Sequence, residues 1–267
     1  MIHAQGRLGY NHEANLTGGR NVSMQPDYLE RLPEDVQQLV RQTERAIGFS
    51  IDVVVVPERT RNVVGETDPM ACEVENDFAR MLVSEPNQFR SSSAFHELLH
   101  VRRFLVEGVP KLVDCSDYKD WTPAIGTALT MHDNAFEHLN IVPRELERFP
   151  SNRERWEAMM VRNFGDIVAG RDGDVGRRQL ALACWAFLQR VLPDSPTLPV
   201  ARAALQALNA LEHAERFCVA LFPLLADKEA AMRVWFHYQD VPLELGSLKY
   251  LLPLEFRTRE VPFSAAS

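Results

Sequence analysis

The chain has 267 residues, 46% of them hydrophobic and 25% charged, enough to bury a real core in one large domain or two small ones. A net charge of −8 argues against a general phosphate-binding face, so nucleic acid is not an expected partner. No run approaches the roughly 20 apolar residues that span a bilayer, and the start, MIHAQGRLGYNHEANLTGG, lacks the apolar region of a signal peptide, so the expectation is a cytoplasmic protein without membrane contact.

Residues 1–26 are polar, glycine-containing and without period, and read as a flexible N-terminal arm. From Pro33 to Ala46 the apolar stripe Val36, Leu39, Val40, Thr43, Ile47 predicts a helix, started by proline and acids and stopped by Gly48. SIDVVVVPE is a β-branched run closed by Pro57, the pattern of a buried strand. MACEVENDFARMLVS predicts two short strands around an Asn76-Asp77 turn.

SSSAFHELLHVRRFLVEG follows, a helix that its serines can cap and Gly108 can end. Beyond Pro110 an irregular stretch to Trp121 leads into PAIGTALTMHDNAFEHLNIV, a second helix closed by Pro143. Helices are then expected at about 152–164, 174–192, 199–222 and 227–239, with breaks at Gly170 and at Pro193-Asp-Ser-Pro. SLKYLLPLEF reads as a last strand, pushed to a sheet edge by Pro253. The four cysteines, Cys72, Cys115, Cys184 and Cys218, are scattered without a C-x-x-C pair and read as reduced structural thiols. The resulting class is α+β. A front part, 27–148, has a helix, a small mixed sheet and the helix of the His-Glu motif. A mostly helical back part, 149–267, follows, as one continuous domain with the front or as a second one.

The chemistry concentrates at His96-Glu97-Leu98-Leu99-His100. Residues four apart share a helix face, so His96 and His100 present two imidazoles to one metal ion. Glu97 is rotated by about 100° from His96 and reaches a water on that metal without binding the metal itself. Zinc lowers the pKa of its water towards neutrality, and a carboxylate takes the proton and passes it to a leaving amine. These are the residue types and offsets that metal-assisted hydrolysis requires.

On residues 96–100 the chain resembles the zincin metallopeptidases, whose motif helix reads His-Glu-x-x-His, and the order helix, strands, motif helix also resembles the zincin fold. The resemblance implies one zinc ion per chain, Glu97 as general base and a protein or peptide substrate. Catalytic zinc takes three protein ligands and keeps one position open. The metzincin spacing would put glycine and a third histidine at positions occupied by Arg103 and Val106, so that subgroup is rejected. MHDNAFEHLN, residues 131–140, gathers the remaining candidates. The segment is similar to the gluzincins, where a glutamate on a later helix completes the site, although the Asn-Glu-x-x-x-Asp segment of thermolysin-like enzymes is absent. Glu137 is the first candidate for third ligand and His138 the alternative, with Asp133 and His132 behind them. Asn134 and Asp133 are candidates to orient the ligands. DNAFEHLNIVP is also similar to the tail of the ImmA/IrrE-type peptidase motif, with its acid placed differently.

The expected function is therefore a zinc metallohydrolase, foremost a metalloendopeptidase. The competing reading is a non-catalytic interaction or regulatory protein whose helical back half is the working surface, with zinc structural or absent.

Overall fold

The computed structural model describes residues 23–57, 70–115, 118–170 and 174–263. Among them the chain is α+β, with nine α-helices and two three-stranded sheets. In chain order the elements are α1 Pro26–Leu29, α2 Glu34–Ile47, β1 Ile51–Val55, β2 Met70–Val74, β3 Ala79–Val83, α3 Ser91–Leu105, β4 Lys111–Asp114 and α4 Pro123–Arg148. Then come α5 Arg153–Ala169, α6 Asp174–Val191, α7 Leu198–Ala207, α8 Leu211–Leu221, α9 Lys228–Tyr238, β5 Gly246–Leu252 and β6 Arg257–Pro262. No helix among the described residues is long and apolar enough to cross a membrane. Residues 1–22 of the expected arm lie outside the described residues. Its last residues are ordered structure instead, with Met24 buried and Pro26 opening α1.

The chain forms two compact units. The first holds the described residues up to Leu129 together with Lys249–Val261; the second runs from Thr130 to Leu248 and resumes at Pro262. The division between these units falls within α4.

In the first unit β3 is central, parallel to β1 and antiparallel to β2, the latter through the expected hairpin. Ile51 and Val53 of β1 and Ala79, Met81 and Val83 of β3 are buried, the period of two that one covered sheet face requires. α2 ends as its sequence demands, at Gly48 with φ 83. Buried Glu44 on α2 accepts the backbone N–H groups of Met24 and Ile51, tying the chain before α1 and the start of β1 to one side chain.

Four expectations are corrected. The serines do not cap α3: the N-cap is Arg90, and Ser91 donates its hydroxyl to the Arg31 carbonyl. Pro143 does not close its helix, because α4 continues to Arg148. A proline inside a helix costs about 3 kcal/mol, and burial on both sides offsets it, Leu139, Ile141 and Val142 before and beside it and Glu145 just after. The helix expected over 199–222 is two, α7 and α8, separated at Asn209, whose φ of 50 lets the Ala210 N–H close on the Leu205 carbonyl. Finally, β5 is not an edge strand: it lies between β4 and β6, and Pro253 comes one residue after it, in a turn. β4 is too short, and β6 too uniformly exposed, to give a periodic signal.

The core of the second unit is aromatic. Phe136, Phe164, Trp185, Phe217, Trp235 and Phe236 are fully buried on α4, α5, α6, α8 and α9.

Candidate metal centre

α3 is buried over nearly its whole length, packed on β2 and α2, so its polar residues are held where most helices carry leucine. Arg102 donates to the Thr43 hydroxyl on α2, fixing the rotation of α3 from its far end. Gly108, at φ 70, permits the Val109 N–H to close on the Arg103 carbonyl and terminate the helix. His96 and His100 are 3% and 6% exposed, with ring centroids 5.1 Å apart and planes at 70°. Phe104, one further turn along, stacks on His100 at 6.1 Å.

Glu97 is equally buried, and β2 brings Cys72 to it. The Cys72 thiol donates to the Glu97 carboxylate. Burial of the sulfur, then the Glu97 charge and that hydrogen bond, push the thiol well above its usual pKa and keep it protonated. Cys72 was read from the sequence as a structural thiol. Only the pairing of β2 with β3 and its packing on α3 bring it to the motif.

One ring nitrogen from each of His96, His100 and His138 lies within 4.8 Å of the other two. Around a tetrahedral ion with metal–nitrogen bonds of 2.0–2.1 Å such nitrogens stand about 3.3 Å apart. An all-imidazole donor set suits several first-row divalent ions, zinc among them.

Glu137, the neighbour of His138 on the helix, is fully buried and engaged by α9. The Lys228 ammonium lies 2.7 Å from the Glu137 carboxylate and 2.5 Å from that of Asp133, and also faces the Phe136 ring. Asp133 and Glu137, four apart, thus form a carboxylate pair around one buried cation. Asn134 is exposed. His132 accepts a hydrogen bond from Trp235 Nε1 through its Nδ1, and burial lowers its pKa from 6.5 to about 4, so it stays neutral.

The His138 ring meets Trp156 of α5 edge-to-face, with centroids 5.1 Å apart. Trp156 and Lys228 gave no functional signal in the sequence, since each reaches α4 through tertiary packing alone, and Glu145, on α4 itself, gave none because its partners Asn152, Arg155 and Trp156 meet it only in the folded chain. The chain matches no protein-family model, no curated protein and no solved structure.

Proposed function

We propose that this protein is a zinc-dependent hydrolase, foremost a metalloendopeptidase, with His96, His100 and His138 as metal ligands and Glu97 as general base. The convergence of three imidazole nitrogens beside a buried glutamate is the observation that carries the reading. A bound zinc ion supplies Lewis acidity and lowers the pKa of a coordinated water towards neutrality. The Glu97 carboxylate takes the proton of the attacking water and returns it to the leaving amine. The Cys72 thiol donates to that carboxylate. Glu137 and Asp133 serve α4 through Lys228 rather than the metal.

A zincin-like front part is in keeping with the order α2, mixed sheet, α3. A peptide substrate is in keeping with β2, which among the described residues ends its sheet's strand order and packs on α3. The Glu75 N–H donates to the Phe78 carbonyl, so by the antiparallel alternation the backbone groups of Cys72 and Val74 face away from β3. Lys111 donates to the Val74 carbonyl, and among the described residues Cys72 is the position of β2 on which an added strand would register. Four cysteines without a disulfide are in keeping with a cytoplasmic setting.

The test is elemental analysis of purified protein together with turnover of a quenched peptide library. Wild type is expected to hold one zinc per chain, lost in His138→Ala and kept in Glu137→Gln. Glu97→Gln is expected to keep zinc and lose turnover by about a thousandfold or more. Protein without zinc after supplementation, or a fully active Glu97→Gln, overturns the reading.

A further inference from the structure

His138 is the one metal-ligand candidate that does not come from the motif helix, so its placement needs its own physical cause. α4 positions its backbone, but a helical histidine still chooses among rotamers, and its ring plane turns freely about the last torsion. A metal–nitrogen bond lies in the imidazole plane, so an unheld ring must surrender that freedom on binding. Trp156 of α5, 4% exposed, packs edge-to-face on the His138 ring at 5.1 Å with planes at 70°. Trp156 is itself anchored. Its Nε1–H donates to Glu145, 3.3 Å from Oε2, and Glu145 is fully buried. Asn152 and Arg155 also donate to Glu145, at 3.1 Å for the guanidinium. The Arg155 guanidinium covers the indole at 4.9 Å, and Phe187 of α6 supports it at 5.3 Å. Glu145 lies seven residues after His138, two turns on along the same face of α4. One indole therefore touches the His138 ring while its N–H is fixed to the helix that carries His138.

We infer that Trp156, locked by Glu145, is a positioning residue that holds the His138 ring in the orientation a metal ion requires. The inference rests on the metal-centre reading and adds to it the part of the second unit that supports the third ligand. Groups that hold a metal-ligating histidine from behind are typically worth 10–100-fold in metal affinity. Here the contribution comes from an aromatic contact rather than from a hydrogen bond to the imidazole.

The experiment measures zinc affinity of the full chain, freed of metal, by competition with a chromophoric chelator, and the visible absorption of its cobalt(II) form. Trp156→Leu removes the ring contact, Trp156→Phe keeps an aromatic face, and Phe164→Leu weakens the same helical core away from His138. Trp156→Leu is expected to bind zinc about tenfold to a hundredfold more weakly and to alter the cobalt absorption. Trp156→Phe is expected to recover most of the affinity, and Phe164→Leu to lose stability with affinity and spectrum unchanged. Wild-type affinity and spectrum in Trp156→Leu, or an equal loss of affinity in Phe164→Leu, overturns the inference while leaving the metal centre standing. A wild type that takes up neither ion removes the centre and the inference together.

Discussion

At the scale of single residues, burial and neighbours set the protonation of two side chains, Cys72 and His132. The Cys72 thiol, kept protonated by burial and by Glu97, is a donor to the carboxylate that the proposed reaction uses as its base. Cys72→Ala is expected to keep zinc and to lower kcat/KM by about tenfold, as a hydrogen bond to a charged group is lost, with Cys72→Ser recovering part of it. Unchanged kcat/KM in Cys72→Ala would show that Glu97 needs no such partner. His132 works in the opposite direction. Its folded pKa of about 4 lies below the ordinary 6.5, so between these values the unfolded chain binds a proton that the native chain does not. Stability therefore falls as pH drops from about 6.5 to about 4, by up to ~3 kcal/mol from this residue, and the contribution levels off below. Urea midpoints of metal-free protein across that window should flatten in His132→Gln; an unaltered slope would remove His132 from the account. Cys184 and Cys218, pushed up to about 12 by burial, belong to packing.

At the scale of elements, the helices and strands that hold the motif were legible because their signals are local. α2 has its stripe and Gly48, the hairpin has alternation around Asn76-Asp77, and α3 has an apolar run ended at Gly108. The misread boundaries share one cause, a local preference overruled by contacts far away in sequence. Pro143 is tolerated because α4 is buried on both sides of it. The α7–α8 break was missed because asparagine enters the left-handed region without any distinctive pattern around it. Phe256, between β5 and β6, makes the same excursion at φ 49 while 59% exposed, and phenylalanine has no special tolerance for it. Phe256→Gly is expected to stabilise the protein by about 1 kcal/mol, the relieved left-handed strain exceeding glycine's entropy cost. A lowered urea midpoint in that variant would mean that packing of the ring outweighs the strain.

At the scale of the whole molecule, long-range pairings decide which partners the acids and histidines of α4 meet. Lys228 lies 91 residues from Glu137 in sequence and ends with both of its carboxylates, Asp133 and Glu137, in the second unit's core. Lys228→Met leaves two buried acids without their cation and is expected to cost about 3–5 kcal/mol, read from chemical denaturation. Adding Asp133→Asn and Glu137→Gln should restore most of it, since removing all three charges leaves none uncompensated. If the triple variant is no more stable than Lys228→Met, the triad is not what holds α9 to α4.

Sequence alone determined the α+β class, the helical character of residues 91–105 and the spacing of His96, Glu97 and His100, because these follow from periodicity and from offsets within one helix. It also put Glu137 first and His138 second among the candidate third ligands, with Asp133 and His132 behind them, although a helix turns adjacent residues about 100° apart and local pattern does not say what either meets. Tertiary structure decided between their surroundings. A lysine from α9 takes Glu137 and a tryptophan from α5 takes the face of His138, while β2 carries Cys72 to Glu97. Each of these is a contact between segments that nothing in their own sequence windows connects, and burial, which makes such contacts strong, exists only once the chain has packed.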